Sequence, residues 1–224
     1  MSTKRLNIIG LIILTVTFWN CEDRACKLGD KHVFDIPVTL SPAKDTYHIG
    51  DTIWVYSRFD KHVHDRVADK DYELEYFLFS PRTNIVRLDS IDALPRLVGD
   101  FRWGVDTAWN YLLNESVYDG VKSLEGQYAY LDDRYYALKF YIIPKKAGLF
   151  FFYHIIRPWV FDEYFKGRCS NHELDGFVRM NAGSDNNLKL FAHSINKYYK
   201  SFDKLHNSEE SFYKVGGYCF WVKE

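Results

Sequence analysis

"RYYALKFYIIPKKAGLFFFYHIIR", residues 134–157, decides the fold class of this chain. Two apolar runs, 134–143 and 149–157, flank the five residues Pro144-Lys145-Lys146-Ala147-Gly148. Aromatic residues crowd both runs, which suits strands better than helix. A proline entering and a glycine leaving so short a connection reads as a hairpin-like turn. Both runs are apolar at odd and even positions alike. Both strands are therefore predicted to be central, with something covering the outer face.

Moving outward, the period of two persists. "HVFDIPVTL" sets Phe34, Ile36, Val38 and Leu40 on one face, and its Pro37, lacking a ladder donor, predicts an edge strand. "DTIWVYSRF" sets Ile53, Val55 and Phe59 on one side. After the charged stretch 60–71, "YELEYFLF" and "NIVRLDSI" read as strands joined through Ser80, Pro81 and Arg82. Near the C-terminus the period changes: Leu188, Phe191, Ile195, Tyr198, Phe202 and Leu205 recur at spacings of three and four, which predicts one helix packed on the sheet, with Ser184 or Asp185 at its start. "FYKVGGYCFWV" returns to strand, with Gly216 and Gly217 marking a bulge or a close backbone approach. There is no internal repeat and no long linker.

Composition agrees with a β-rich globular chain. Of 224 residues 47% are hydrophobic, and 17 Tyr, 17 Phe and 6 Trp make aromatics 18% of the total. A formal net charge of −1 gives no reason to expect nucleic acid as a partner.

The N-terminus reads differently. Lys4 and Arg5 precede an uncharged apolar run, Ile8 to Trp19, which at 12 residues is too short for a bilayer that needs about 20. This is the layout of a secretory leader. It lacks the small-x-small cleavage site and stops instead at Cys21. A leader ending on a cysteine resembles that of bacterial lipoproteins, and the resemblance implies a lipid-modified Cys21 as the mature N-terminus. Phe18 suits its place in such a leader, whereas Trp19 and Asn20 are bulkier than the residues usual there; the alternative is an uncleaved N-terminal anchor. Glu22 and Asp23 resemble the acidic export tag of surface lipoproteins of Bacteroidetes-type bacteria. Residues 1–20 are thus read as signal peptide, 21–32 as acylated terminus and tether, and 33–224 as the folded domain.

Export leaves Cys26, Cys169 and Cys219, an odd number in a compartment where disulfides form. Cys219 lies in the apolar "YCFWV" and reads as a buried thiol. Cys26 and Cys169 lie in polar surroundings and are the expected disulfide, which would staple the mature N-terminus to the body.

Two stretches carry a fold resemblance. "PVTLSPAKDTYHIGDTIWV" resembles the first two strands of an immunoglobulin-like sandwich of secreted bacterial proteins, and "FYIIPKKAGLFFFY" resembles the penultimate strand pair of that fold, with "GGYCFWV" as the closing strand. With the Cys21 leader, the chain is similar to a group of Bacteroidetes-type lipoproteins to which no activity is assigned. The resemblance implies a mainly β fold: an immunoglobulin-like antiparallel β-sandwich with insertions (84–131 and 158–211) and one helix in the C-terminal half. It places the chain in the cell envelope, as an outer-membrane lipoprotein facing periplasm or cell surface.

Chemistry is sparse in the sequence. There is no GxSxG, no phosphate-cradling glycine loop and no HExxH, so no cofactor is expected. His62, His64 and Asp65 lack further ligands and read as a solvated charged loop, not a metal site. Asp132-Asp133 reads as a turn and Asp185-Asn186-Asn187 as a helix cap, neither with calcium-loop spacing. Asn114-Glu115-Ser116 matches a glycosylation sequon by pattern only. The binding candidates are aromatic stretches read as loops: Trp103, Trp109 and Tyr111 in "FRWGVDTAWNYL", and Trp159 in "RPWVFDEYF". The favoured function is non-catalytic binding or assembly at the membrane, with a glycan or an envelope protein as partner. The alternative is an envelope hydrolase, directed at glycan or peptide, whose site one sequence does not reveal.

Overall fold

The alternation read from the sequence organises the computed structural model, which describes residues 31–75, 77–106, 112–159, 173–199 and 208–224. Its strands form two sheets packed face to face. In the first, the order is β10 (Ala129–Leu131), β11 (Tyr135–Pro144), β3 (Ile53–Asp60), β1 (Lys31–Ser41), β4 (His62–Asp65) and β5 (Lys70–Glu73). Here β13 (Glu173–Met180) also pairs with β1, and β7 (Phe101–Val105) with β11. In the second, the order is β2 (Thr46–His48), β14 (Tyr218–Lys223), β12 (Gly148–Trp159), β6 (Leu78–Arg87), β9 (Val121–Gln127) and β8 (Leu112–Tyr118). This is the expected immunoglobulin-like sandwich. Two strand pairs, β1 with β13 and β14 with β2, run parallel, and the other pairings between these strands are antiparallel.

The inner faces are those the period of two assigns. Phe34, Ile36, Val38 and Leu40 of β1 and Ile53, Val55 and Phe59 of β3 are all buried, facing Phe79, Ile85, Phe150, Phe152 and Phe220 of the second sheet. Aromatic rings meet edge-on across the gap, with Phe59 and Phe79 at 5.1 Å and Phe79 and Tyr136 at 4.7 Å between centroids. Each such side chain contributes about 1.5–3 kcal/mol by leaving water, so this seam dominates stability.

The connection Pro144–Gly148 is not a hairpin. β11 pairs with β3, β7 and β10, whereas β12 pairs with β14 and β6, so the turn carries the chain from one sheet to the other. The two apolar strands face each other across the core, each central in its own sheet. That satisfies the two-faced apolar pattern better than mutual pairing would. The predicted outer cover exists: Leu149, Phe151, Val86, Leu88 and Cys219 form a second apolar cluster beneath Leu188, Phe191, Phe212 and Tyr213.

The cover differs from the predicted helix. Leu188–His193 is a single 3-10 segment, 197–199 is a turn, and residues 200–205 lie outside the described residues. Asn186 and Asn187, both at positive φ, and the bonds of Asn196 to the carbonyls of Arg87 and Ala93 draw the chain out of a helical path. Two short helices among the described residues pack on the sandwich instead: Leu97–Asp100, through Leu97 in the central core, and Ser208–Lys214, through Phe212 in the outer cluster.

Three smaller expectations are corrected. Pro37 does not make β1 an edge: β13 flanks it on one side, and its ladder with β3 starts only at Thr39. The Pro37 carbonyl accepts instead from Ser57 Oγ at 2.6 Å. Ser80-Pro81-Arg82 is no loop but the interior of β6, whose pairing with β9 begins at Arg82. The stretch holding His62 and His64 is a β4–β5 hairpin, with both imidazoles exposed beside Asp60 and Asp71, while Asp65 turns inward and is fully buried. Gly216, at φ +57, fits the predicted close approach, since a Cβ there would stand 2.4 Å from Val178 Cγ1.

Candidate functional site

The outer face of the second sheet changes character along its strands. Near β14 it is apolar and covered, as above. Towards the other end, the outward positions of β12 read Tyr153, Ile155, Arg157, and those of β6 read Asn84, Arg82, Ser80. Register lines these up. Ile155 lies opposite Arg82, Arg82 opposite Glu125, and Glu125 opposite Asn114, one row across four strands. The next row begins with Tyr153 opposite Asn84, and Arg157 stands opposite Ser80 on the other side.

These rows floor an open trough of about 650 Å³, edged by Asn114, Ser116 and Arg157. A second concavity of about 340 Å³ continues over Asn84, Tyr153 and Ile155, walled by Leu94, Pro95 and Tyr198, and Arg82 lines both. Both volumes fall in the range of about 300–1,000 Å³ usual for ligand sites. The β8–β9 edge of the trough depends on Gly126, where a Cβ would fall 1.9 Å from the Leu112 carbonyl oxygen.

Charge in the trough is partly matched. Arg82 Nε donates to Glu125 Oε1 at 2.6 Å, and Ser123 Oγ donates to the same carboxylate at 3.3 Å. Arg157 is exposed and has no ion-pair partner among the described residues. The hydroxyls of Tyr153 and Tyr199 bond each other at 3.3 Å, and burial, reinforced by the neighbouring Tyr199, pushes the Tyr153 phenol well above its ordinary value. Both tyrosines therefore stay neutral and serve as hydrogen-bonding rings. Among the described residues no three His, Cys, Asp or Glu side chains converge to hold a metal ion, and no helix is long and apolar enough to cross a membrane.

The binding candidates read from the sequence are placed unevenly. Trp103 lies on β7, not on a loop; half-buried, it packs on the core and donates its indole N–H to Glu115 Oε1 at 2.8 Å. Glu115 also lines the trough, so Trp103 buttresses one wall from the other sheet. Trp159 ends β12, two residues past Arg157 and opposite Leu78. Trp109 and Tyr111 lie outside the described residues, as do the leader, Cys21, Cys26 and Cys169. Cys219 is buried with a free thiol, and burial pushes its pKa up, as a packed hydrophobe requires.

Sequence reasoning missed Arg82, Asn84, Glu125 and Arg157. The signal was partly present: Arg157 is polar at an outward position of a strand otherwise largely apolar on both faces, and Ser80, Arg82 and Asn84 recur at every second position of β6.

Taken as a class, the architecture is a two-sheet immunoglobulin-like sandwich with an open trough on one outer face. Comparison with solved structures finds a cohesin module from a Clostridium perfringens family 33 glycoside hydrolase, at 8% identity and TM-score 0.29, covering 55% of this chain and 83% of that one. A non-cellulosomal cohesin from the archaeon Archaeoglobus fulgidus is similar at 10% identity and TM-score 0.25, over 71% of this chain and 98% of its own. No protein-family model matches the sequence, and no curated protein matches it significantly.

Proposed function

We propose that the chain is a non-catalytic binding module held at the cell envelope by an acylated Cys21, and that the trough on the second sheet holds its ligand, a glycan or a partner protein. The trough carries this reading. Side chains from four hydrogen-bonded strands are fixed in register on a stiff face, and a contact surface pre-formed in this way loses little entropy on binding. The nine residues 22–30 reach at most about 30 Å when extended, so lipid at Cys21 holds the domain close to the membrane. More than one acyl chain makes such an anchor stable. A Cys26–Cys169 disulfide would shorten the tether further.

The anchor is tested by mass spectrometry of the membrane fraction. An acylated peptide beginning at Cys21 is expected, and Cys21→Ser should release the protein; a mature chain that starts elsewhere refutes the anchor. The trough is tested by binding of the wild type and Arg157→Glu to envelope polysaccharide and to solubilised envelope protein from the source cells. Because Arg157 is exposed, the variant should keep its melting temperature within a few degrees. It should lose about tenfold in affinity, the size of one charge-assisted hydrogen bond. Equal binding by both proteins removes the trough from the function, and cleavage of either material moves the protein into the hydrolases.

A further inference from the structure

Resting on the reading of the trough as the ligand face, we infer that the inner concavity over Asn84 is a subsite for a sugar ring, which makes the ligand a neutral glycan chain. Asn84 is the key observation. Its side chain is 98% buried, it lines the concavity, and its Oδ1 has no hydrogen-bond partner among the described residues. Buried amides are almost always satisfied, so an unpartnered one in the lining of a concavity, next to the space a ligand would fill, is a group that a small rotation can offer to a ligand hydroxyl. Neighbouring groups do not fill that role: the Tyr153 and Tyr199 hydroxyls bond each other, and Arg82 is engaged by Glu125.

The walls specify the chemistry. Leu94, Pro95 and Ile155 offer apolar surface, while the Asn84 amide offers both a donor and an acceptor. A pyranose has this mixed character, with C–H groups on its faces and hydroxyls round its rim. At the mouth Tyr198 is 51% exposed, a ring on which a second sugar can stack. The wall bearing it is pre-formed. Backbone amides of Ile195 and Asn196 bond to the Leu88 carbonyl, that of Lys197 bonds to the Ile91 carbonyl, and Asn196 Oδ1 accepts from the Tyr198 amide. Arg82 and Glu125 neutralise each other between the two concavities, so the path carries little net charge and suits an uncharged chain. A peptide fits less well, because peptides usually gain affinity by adding a strand at a sheet edge, and this site lies on a sheet face with no ladder groups to offer.

The experiment titrates the folded protein with cellohexaose, xylohexaose, maltohexaose and chitohexaose, following tyrosine and tryptophan fluorescence and binding heat. At least one should bind the wild type. Asn84→Leu should weaken that binding at least tenfold while leaving the melting temperature unchanged or higher, since it removes an unpaired buried amide. Tyr198→Ala, at an exposed position, should weaken binding severalfold with unchanged stability. Binding that Arg157→Glu abolishes but Asn84→Leu and Tyr198→Ala leave intact overturns the subsite and keeps the trough. Failure of all four oligosaccharides, with retention on envelope protein that Arg157→Glu weakens, overturns the glycan and keeps the binding module.

Discussion

Replacing Asp65 with alanine is expected to destabilise the domain by about 3–5 kcal/mol, because it strips three donors of their buried acceptor at about 1–3 kcal/mol each. The Asp65 carboxylate is fully buried at the end of β4. Its Oδ2 accepts from His32 Nδ1 at 2.6 Å, and its Oδ1 accepts the backbone N–H of Val33 at 3.1 Å and of Val67 at 2.9 Å. Burial alone would raise its pKa; the hydrogen bonds from His32, Val33 and Val67 outweigh burial and hold it below the ordinary carboxylate value. Alanine leaves these donors without the acceptor and loosens the start of β1, through which β4 and β13 are joined. Asp65→Asn, keeping one carbonyl oxygen, should lose distinctly less. Denaturant unfolding of both variants checks the claim, and a loss under about 1 kcal/mol for alanine would show that the pair is dispensable.

Acid should unfold this protein early, and His154 is a principal cause. Its imidazole sits between Phe140 and Phe152 in the core, Nδ1 hydrogen-bonded to Thr83 Oγ1 at 2.7 Å, with Nε2 buried and unpartnered among the described residues. Burial pushes its pKa down to about 3, against an ordinary value of 6.5. Above pH 6.5 folded and unfolded chains are both neutral at this residue, and it imposes no pH dependence. As pH falls from 6.5 towards 3, the unfolded chain takes up a proton that the folded chain refuses. Stability then declines with a slope approaching 1.4 kcal/mol per unit, roughly 4 kcal/mol by pH 3. Asp65, whose folded pKa is depressed, adds to the decline at lower pH, as its carboxylate becomes protonated. In the double variant Thr83→Val, His154→Phe, the slope between pH 6.5 and 3 should flatten by about one proton relative to the wild type. An unchanged slope would mean that His154 is protonated in the folded state.

Much of the fold was legible because period-two alternation is a direct image of the pleat. Phe34, Ile36, Val38 and Leu40 all face the core as read. Pairing was less legible. Pro144 and Gly148 specify a reversal of direction, yet the same turn chemistry serves a hairpin within a sheet and a crossing between sheets; only the demand of both apolar strands for central places separates the two. The stripe from Leu188 to Leu205 was half informative. Leu188 and Phe191 do cover the second sheet, but Ile195 and Tyr198 are 50% and 51% exposed, because local bonds of Asn186, Asn187 and Asn196 compete with helix formation. The trough was the least legible feature. Its floor comes from residues 80–84, 114–126 and 153–157, and nothing but strand register gathers them. Trp103 reads in sequence as a loop aromatic, whereas it sits on β7 and braces Glu115 from behind.

The parallel ladder between β1 and β13 has a kinetic consequence. Lys31 to Val38 pair with Glu173 to Met180, so β1 waits for one of its partners until well over a hundred further residues have been made. Long-range pairings of this kind slow folding, to milliseconds or seconds in sandwiches, because a large loop must close before any contact rewards it. During that interval the apolar face of β1 and its open edge are free to pair with other chains, the usual route to aggregation of slow β proteins. A chain built in this order gains from being kept unfolded until it is whole, a delay that the proposed export across a membrane would impose.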